Sequence, residues 1–400
     1  MRARETGDSG HELRPPFLPP ASRASLLTNI LPRVSLAKPR STLGSMLSPA
    51  SLAYCAALHF NCCLAALRYR CRSAEYTLVQ FPFRVPTGKQ FDAAGFGVNA
   101  VDHLLVVPEY PHANTNTRLI EHKQGAGGQT ASAIVALQRL GMRTVYGGRF
   151  GTDAEGRFGL QSLKHEGVDV EFAETIEGAR TQVGYIIIEA KRGERTVLWD
   201  RDQLLAYTDD DAPVELAARA RVIHLDAHDP RACARMAREA HAAGTIVSAD
   251  IDNVYDGLPE LLPLIDVLIS SKEFPRLLTG IDDPHEALIE IKAKYGCALV
   301  GLTKGGRGAT VLCEGKFLET PAFQVPGGCV DTTGAGDAFH GGFLYGLLQG
   351  EEIEMSMKVG CAVAALGCRL LGARSGLPTR EELHTFLRRT ASKTHALPAR

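Results

Sequence analysis

The stretch Val330-Asp331-Thr332-Thr333-Gly334-Ala335-Gly336-Asp337-Ala338-Phe339-His340-Gly341-Gly342-Phe343-Leu344 runs from a turn of small residues into an apolar helix pattern. Small residues at 334–336 let backbone N–H groups approach an anion, and a helix N-terminus favours negative charge, so the junction suits a phosphate. Asp337 falls in the first turn of that helix, where a carboxylate is placed to take the proton of a hydroxyl attacking the phosphorus. The same residues also read as an ordinary helix start, since acidic side chains are common in a first turn. Two other phosphate sites are excluded. Gly88-Lys89 is followed by Gln90 and lacks the upstream glycine and the Ser or Thr of a Walker A loop. No G-x-G-x-x-G follows a strand in the manner of a dinucleotide fold.

Working outward, residues from 91 onward alternate short apolar runs with Ala- and Leu-rich stretches, the rhythm of an α/β fold. Strands are expected at 93–99, 144–146, 222–225, 246–250, 267–269 and 299–302, and helices at 132–140, 158–165 and 231–242. Parallel pairing follows from the continuous apolar character of the strands. Residues 181–199 depart from the rhythm: β-branched and aromatic residues flank a turn at Gly193, which predicts an antiparallel hairpin. With 105–123 it is expected to form a small separate sheet, a lid over an active site.

The whole chain narrows the partner. Its 400 residues, 45% hydrophobic and 22% charged, suit one large domain or two smaller ones. A net charge of -1 creates no global field for nucleic acid or a membrane surface, which leaves a small molecule as the expected partner. Ten cysteines without CxxC spacing read as reduced thiols and a cytoplasmic setting. Residues 1–88 read as an extension. Between 13 and 74 there is no acidic residue while arginines recur, a targeting-like composition that leaves an organellar address open. The uncharged 47–67 segment carries His59 and Asn61 and is weak as a membrane span.

Residues 331–337 resemble the C-terminal D-T-x-G-A-G-D signature of the ribokinase-like (PfkB) carbohydrate kinase family. Gly127-Gly128, leading into a helix that ends in Leu140-Gly141, resembles the family's N-terminal segment, and 151–156 its G-x-D-x-x-G turn. The resemblance covers about 92–390 and implies a kinase domain over 89–400 with a ribokinase-like three-layer α/β/α sandwich and a small β-sheet lid. It implies ATP-dependent phosphorylation of a sugar or sugar-like hydroxyl, with Gly334, Ala335 and Gly336 as an anion hole and Asp337 as base. Mg2+ is implied as the nucleotide's companion, and a monovalent cation such as K+ near Asp331. A homodimer through the lid is implied as well.

On the sugar side, the resemblance points to Asp102, with Asn99 beside it, and to Gly127 and Gly128; read without it, the glycine pair is close helix–sheet packing and Asp102 a turn residue. Gln129 and Ser132 stand where ribokinases carry Lys and Asn, so the ribose contact set is altered while hydrogen bonding is kept. For the nucleotide, the T-x-G-x-x-G-like run places Thr303, Gly305, Gly306 and Gly308 near the phosphates and Cys361 near the adenine. Taken alone, that run is a Gly-rich hairpin and Cys361 a small core residue. The family's N-x-x-E motif is altered: Ser271 replaces Asn, Phe274 replaces Glu, and Glu273 lies one position early, implying a shifted metal contact. His224, Asp226 and His228 alternate as on one strand face, either a transition-metal set or, as preferred, a run in which Asp226 or His228 is a substrate-facing side chain. A catalytically weak sugar- or nucleotide-binding regulator of the same fold, or a nucleoside kinase, is the alternative function.

Overall fold

The apolar runs pair much as their composition dictates. The computed structural model describes residues 79–191 and 194–394. The strands are β1 (Phe91–Phe96), β2 (Ala100–Val107), β3 (Glu121–Gly127), β4 (Thr144–Gly151), β5 (Asp169–Ile176), β6 (Val183–Glu189), β7 (Arg195–Asp200), β8 (Ala220–Leu225), β9 (Ile246–Ile251), β10 (Val267–Ser270), β11 (Leu299–Thr303), β12 (Ala309–Cys313) and β13 (Lys316–Thr320). The α-helices are α1 (Gln129–Arg139), α2 (Ala154–His165), α3 (Glu215–Ala218), α4 (Pro230–Ala242), α5 (Leu258–Leu261), α6 (Phe274–Thr279), α7 (Pro284–Tyr295), α8 (Ala335–Leu348), α9 (Ile353–Gly367) and α10 (Arg380–Thr394).

Nine strands form one sheet in the order β13-β12-β11-β10-β9-β8-β1-β4-β5. Its pairs are parallel except β11–β12 and β12–β13. Successive side chains of a strand point to opposite faces, and the cores follow that alternation. Ala93, Val222, Val267 and Leu299 pack with α1, α8 and α9 on one face. Ala94, Ile223, Leu268 and Val300 pack with α4, α5 and α7 on the other. The result is a three-layer α/β/α sandwich.

A second sheet, β3-β2-β6-β7, is the lid. The 181–199 hairpin is β6 and β7, paired antiparallel. The other lid segment differs from the expected 105–123: β2 begins at Ala100 and β3 runs on to Gly127, which face each other in register. The cause is at the chain's exit from β1, where Val98 N–H donates to the buried Asp226 and turns the backbone out of the main sheet. Asp102 therefore stands on the lid strand β2, not at the end of β1.

The expected boundary at 89 also moves. Val79 is buried, Phe81, Phe83 and Val85 pack against the same core, and Phe81 meets Phe343 edge-on at 5.8 Å. Residues 79–88 thus belong with the sandwich, because their alternating aromatics have an apolar face to cover. The 47–67 segment lies outside the described residues, among which no helix is long and apolar enough to cross a membrane.

Candidate active site

A cleft of about 810 Å³ lies between the C-terminal ends of the parallel strands and the lid, the usual ligand position in an open α/β sheet. At its floor the turn before α8 bends through Gly334, whose left-handed φ of 73° lets it cap the helix. A Cβ at Gly334 would stand 2.7 Å from that of Ala373, whereas one at Gly336 would meet nothing within 4 Å. Ala335 N–H donates to Thr332 O, and the first helical bond runs from Ala338 N–H to Gly334 O. The amides of Gly336 and Asp337, which precede that bond, have no acceptor among the described residues. This end of α8 is open, donor-rich and clear of side chains.

Asp337 stands in that first turn, half-buried. Burial pushes its carboxyl well above the ordinary carboxylate range; Asp250 and Asp102 push the same way, against Arg195 and Arg374. One turn on, the buried His340 ring lies 3.3 Å from the Asp250 carboxylate. Asp331 braces the turn: Oδ1 accepts from Thr333 N–H at 2.8 Å and Thr333 Oγ1 at 2.7 Å, and Oδ2 from Gly372 N–H at 2.8 Å.

At the opposite end Asp102 is only 7% exposed, and its carboxylate has no hydrogen-bond partner among the described residues. Burial raises its pKa to about 6, with Arg374 opposing and Asp331 adding to the rise. The glycine pair is imposed by packing: a Cβ at Gly127 would overlap the Asp102 carboxylate, and one at Gly128 would stand 2.6 Å from Val98 O. Gln129, Gly128 and His228 line the cleft with Asp102. Asn99 and Ser132 are spent behind the wall, Asn99 Nδ2 donating to Tyr146 OH and Arg149 O, Ser132 Oγ accepting from Arg374 Nε.

Strand β8 ends at Leu225, so His224, Asp226 and His228 do not share a strand face. His224 faces Ser248 and His340 in the core. Asp226 is fully buried and accepts from Val98 N–H and Thr130 Oγ1. His228 Nδ1 lies 3.3 Å from Asp226, not aligned for a hydrogen bond.

Toward β11 and α9, Thr303, Gly305, Gly306, Gly308 and Cys361 line the same cleft. The 303–308 run is both a hairpin turn between β11 and β12 and a cradle, since a Cβ at Gly305 or Gly306 would meet nothing within 4 Å. Glu273 is not brought to the cleft: it is exposed and sits 3.4 Å from Lys272, while Ser271 lines the wall. Phe274 is buried in the core.

Three features had little signal in the sequence. Arg374 is buried, its guanidinium donating to Gly127 O, Ser132 Oγ and Ser162 Oγ; burial lowers its pKa to about 10. Arg195 of the lid donates to Thr332 Oγ1 at 2.7 Å, joining the lid to the turn before α8. Asp153, in the G-x-D-x-x-G turn, caps α2 through Gly156 N–H and accepts from Thr181 N–H and Oγ1, anchoring the entry to β6.

The chain is similar to known proteins. A ribokinase from Haemophilus influenzae is 28% identical over 306 residues, 72% of this chain and 96% of the relative. An ATP-dependent ribose-1-phosphate kinase from Halopiger xanaduensis is 30% identical over 291 residues, 72% and 94% of the two chains. The structure of Arabidopsis thaliana ribokinase complexed with ribose and ATP superposes with a TM-score of 0.64 at 22% identity, covering 74% of this chain and 99% of that one, a likeness of fold. The pfkB carbohydrate kinase family model matches residues 97–380, from the turn out of β1 to the start of α10. A match that takes in the lid, both glycine turns and Asp337 together settles the identity: the chain belongs to the pfkB family of carbohydrate kinases.

Proposed function

We propose that this kinase transfers a phosphoryl group from ATP to a hydroxyl of a small sugar or sugar-like substrate, with Asp337 as general base. One observation carries the reading: Asp337 stands beside two amides without acceptors at the mouth of α8, facing the cleft that also holds the unpartnered Asp102. Asp102 and Gln129 orient the substrate, Asp337 accepts the proton of the attacking hydroxyl, and the open amides of Gly336 and Asp337 face the oxygens that gain charge. The lid excludes water.

The open cradle of Gly305 and Gly306 fits a triphosphate, with Thr303 and Gly308 beside it and Cys361 toward the base. ATP when bound supplies the phosphoryl group, and Mg2+ carried on its phosphates spreads their charge. Asp331 is committed to Thr333 and Gly372, and Glu273 is remote from the cleft, so neither is assigned a metal. That loss also favours a second reading, a weakly active sugar-binding regulator. Measuring ADP release across sugars and nucleosides separates them: substrate-dependent ADP supports the kinase, and binding without turnover supports the regulator.

The two turn glycines make distinct predictions. Gly336→Ala adds a methyl group to open space, so the protein is expected to keep its Tm while turnover falls on the order of tenfold to 100-fold through displacement of the phosphoryl group. Gly334→Ala is expected to lose about 1–2 kcal/mol of stability from its left-handed backbone alone. Thermal denaturation and steady-state kinetics on both variants check this.

A further inference from the structure

Arg195 opens strand β7 directly opposite Ile188 of β6. Residues opposite one another in an antiparallel pair share a face. Ile188 is buried with Leu104, Ile186 and Leu371, so Arg195 is turned toward the sandwich. Val197 and Trp199 alternate with it on that face, and all three line the cleft. Trp199 stands at one end beside His228, and Arg195 at the other, where its Nη1 donates to Thr332 Oγ1 at 2.7 Å. Thr332 O accepts from Ala335 N–H, so this hydroxyl belongs to the tight turn that presents the open amides of Gly336 and Asp337.

A neutral hydroxyl is a poor partner for a guanidinium. Three other arginines, Arg149, Arg180 and Arg201, are each paired with carboxylates: Glu174 and Asp211, Asp200, and Asp229. Arg195 has only Thr332 among the described residues, and one hydrogen bond leaves most of the five donors of a guanidinium unused. Those donors hang over the cleft floor, and the charge opposes the upward push on both Asp337 and Asp102. Their planar fork matches two oxygens of a phosphoryl group at once. A phosphoryl group in transfer spreads its charge over three equatorial oxygens. The Gly336 and Asp337 amides approach them from the α8 side, which leaves the lid side without a donor unless Arg195 supplies it.

We propose that Arg195 is a catalytic residue carried by the lid: over bound ATP and acceptor its guanidinium turns from Thr332 to the oxygens of the phosphoryl group in transfer. This rests on the kinase reading above. In the step itself the acceptor oxygen forms its bond to the γ-phosphorus as the bond from that phosphorus to the bridging oxygen breaks. The electron pair of the broken bond leaves with ADP, the acceptor's proton goes to Asp337, and Arg195 neither gains nor loses a proton. Its contribution is charge, and because it rides on the lid, that charge is in place only when the cleft is covered.

The test compares wild type with Arg195→Ala and Arg195→Lys, using ribose, fructose, adenosine and fructose 1-phosphate as acceptors. Arg195 is exposed, so both variants are expected to keep the wild-type Tm. Arg195→Ala is expected to lower kcat on the order of 100-fold or more, with the KM of ATP and acceptor within about threefold, and Arg195→Lys to recover part of the loss. Guanidinium ion added at millimolar concentration is expected to raise turnover by Arg195→Ala and not by wild type. ADP with aluminium fluoride, a planar stand-in for the phosphoryl group, is expected to bind Arg195→Ala at least tenfold more weakly in the presence of acceptor, while ADP alone binds both proteins alike. A raised acceptor KM with kcat kept places Arg195 on an anionic group of the acceptor. A kcat loss without guanidinium rescue, with ADP and its aluminium fluoride complex weakened equally, makes the Thr332 contact a structural latch. Either result, or unchanged kinetics, overturns the proposal and leaves the kinase reading standing. Wild type that turns over ATP with none of the acceptors is a separate outcome, which overturns the kinase reading and the proposal with it.

Discussion

Asp337→Asn is expected to lower kcat by about 10²–10⁴, the range for loss of a positioned general base, while sugar and nucleotide dissociation constants move only a few-fold. Asparagine keeps the shape of the side chain and the open amides of residues 336 and 337 stay where α8 holds them, so the loss falls on proton transfer. The pH dependence has a definite sign. The base acts when ionised, and burial with Asp250 and Asp102 nearby raises its pKa. The acid limb of wild-type kcat/KM is therefore expected above the pH at which an ordinary aspartate would place it, with activity lost as pH falls through the limb. Rapid-quench or coupled assays on folded variant protein check the rate, and a pH series on wild type checks the limb. Wild-type turnover by Asp337→Asn removes Asp337 from the chemistry.

Asp102→Asn is expected to pull activity and stability in opposite directions. The acceptor KM rises on the order of 100-fold, since an amide replaces a carboxylate that has no other partner. The folded protein meanwhile gains. Burial raises Asp102 from 3.8 to about 6, so ionising it at pH 7 costs the fold roughly 2–3 kcal/mol, order of magnitude. A carboxyl with a raised folded pKa contributes most stability below its unfolded value and loses it as pH climbs through the folded one. The variant's advantage is therefore expected to be full above about pH 6, to shrink between 6 and 3.8, and to vanish below. Denaturant titrations at pH 4 and pH 7.5 test both the size and the sign. Equal stability of the two proteins at pH 7.5 would falsify the account of Asp102 as an acid held in place for its ligand.

Much of the sandwich was legible because its physics is local. Buried parallel strands are continuous apolar runs, so β8 to β11 fall within two residues of their expected ends. The hairpin around Gly193 announced itself by composition, and the turn before α8 by its small residues. What stayed hidden depends on long-range geometry. Asp102 reads as a strand-end turn residue until the Val98 contact with Asp226 turns the backbone into the lid. Asn99 and Ser132 are polar neighbours of the right kind, yet Tyr146 and Arg374 claim them from outside the cleft. Arg374 belongs to a segment with no motif of its own and is defined by three acceptors far away in sequence.

The lid carries one more consequence. Trp199 stands on β7, lines the cleft, is 59% exposed and has its ring 6.4 Å from that of His228. It is also the only tryptophan among the 400 residues. The protein's indole emission thus has a single origin, next to the ligand and on the element that covers it. Occupancy of the cleft is optically addressable in the native chain, without a label and without a substitution.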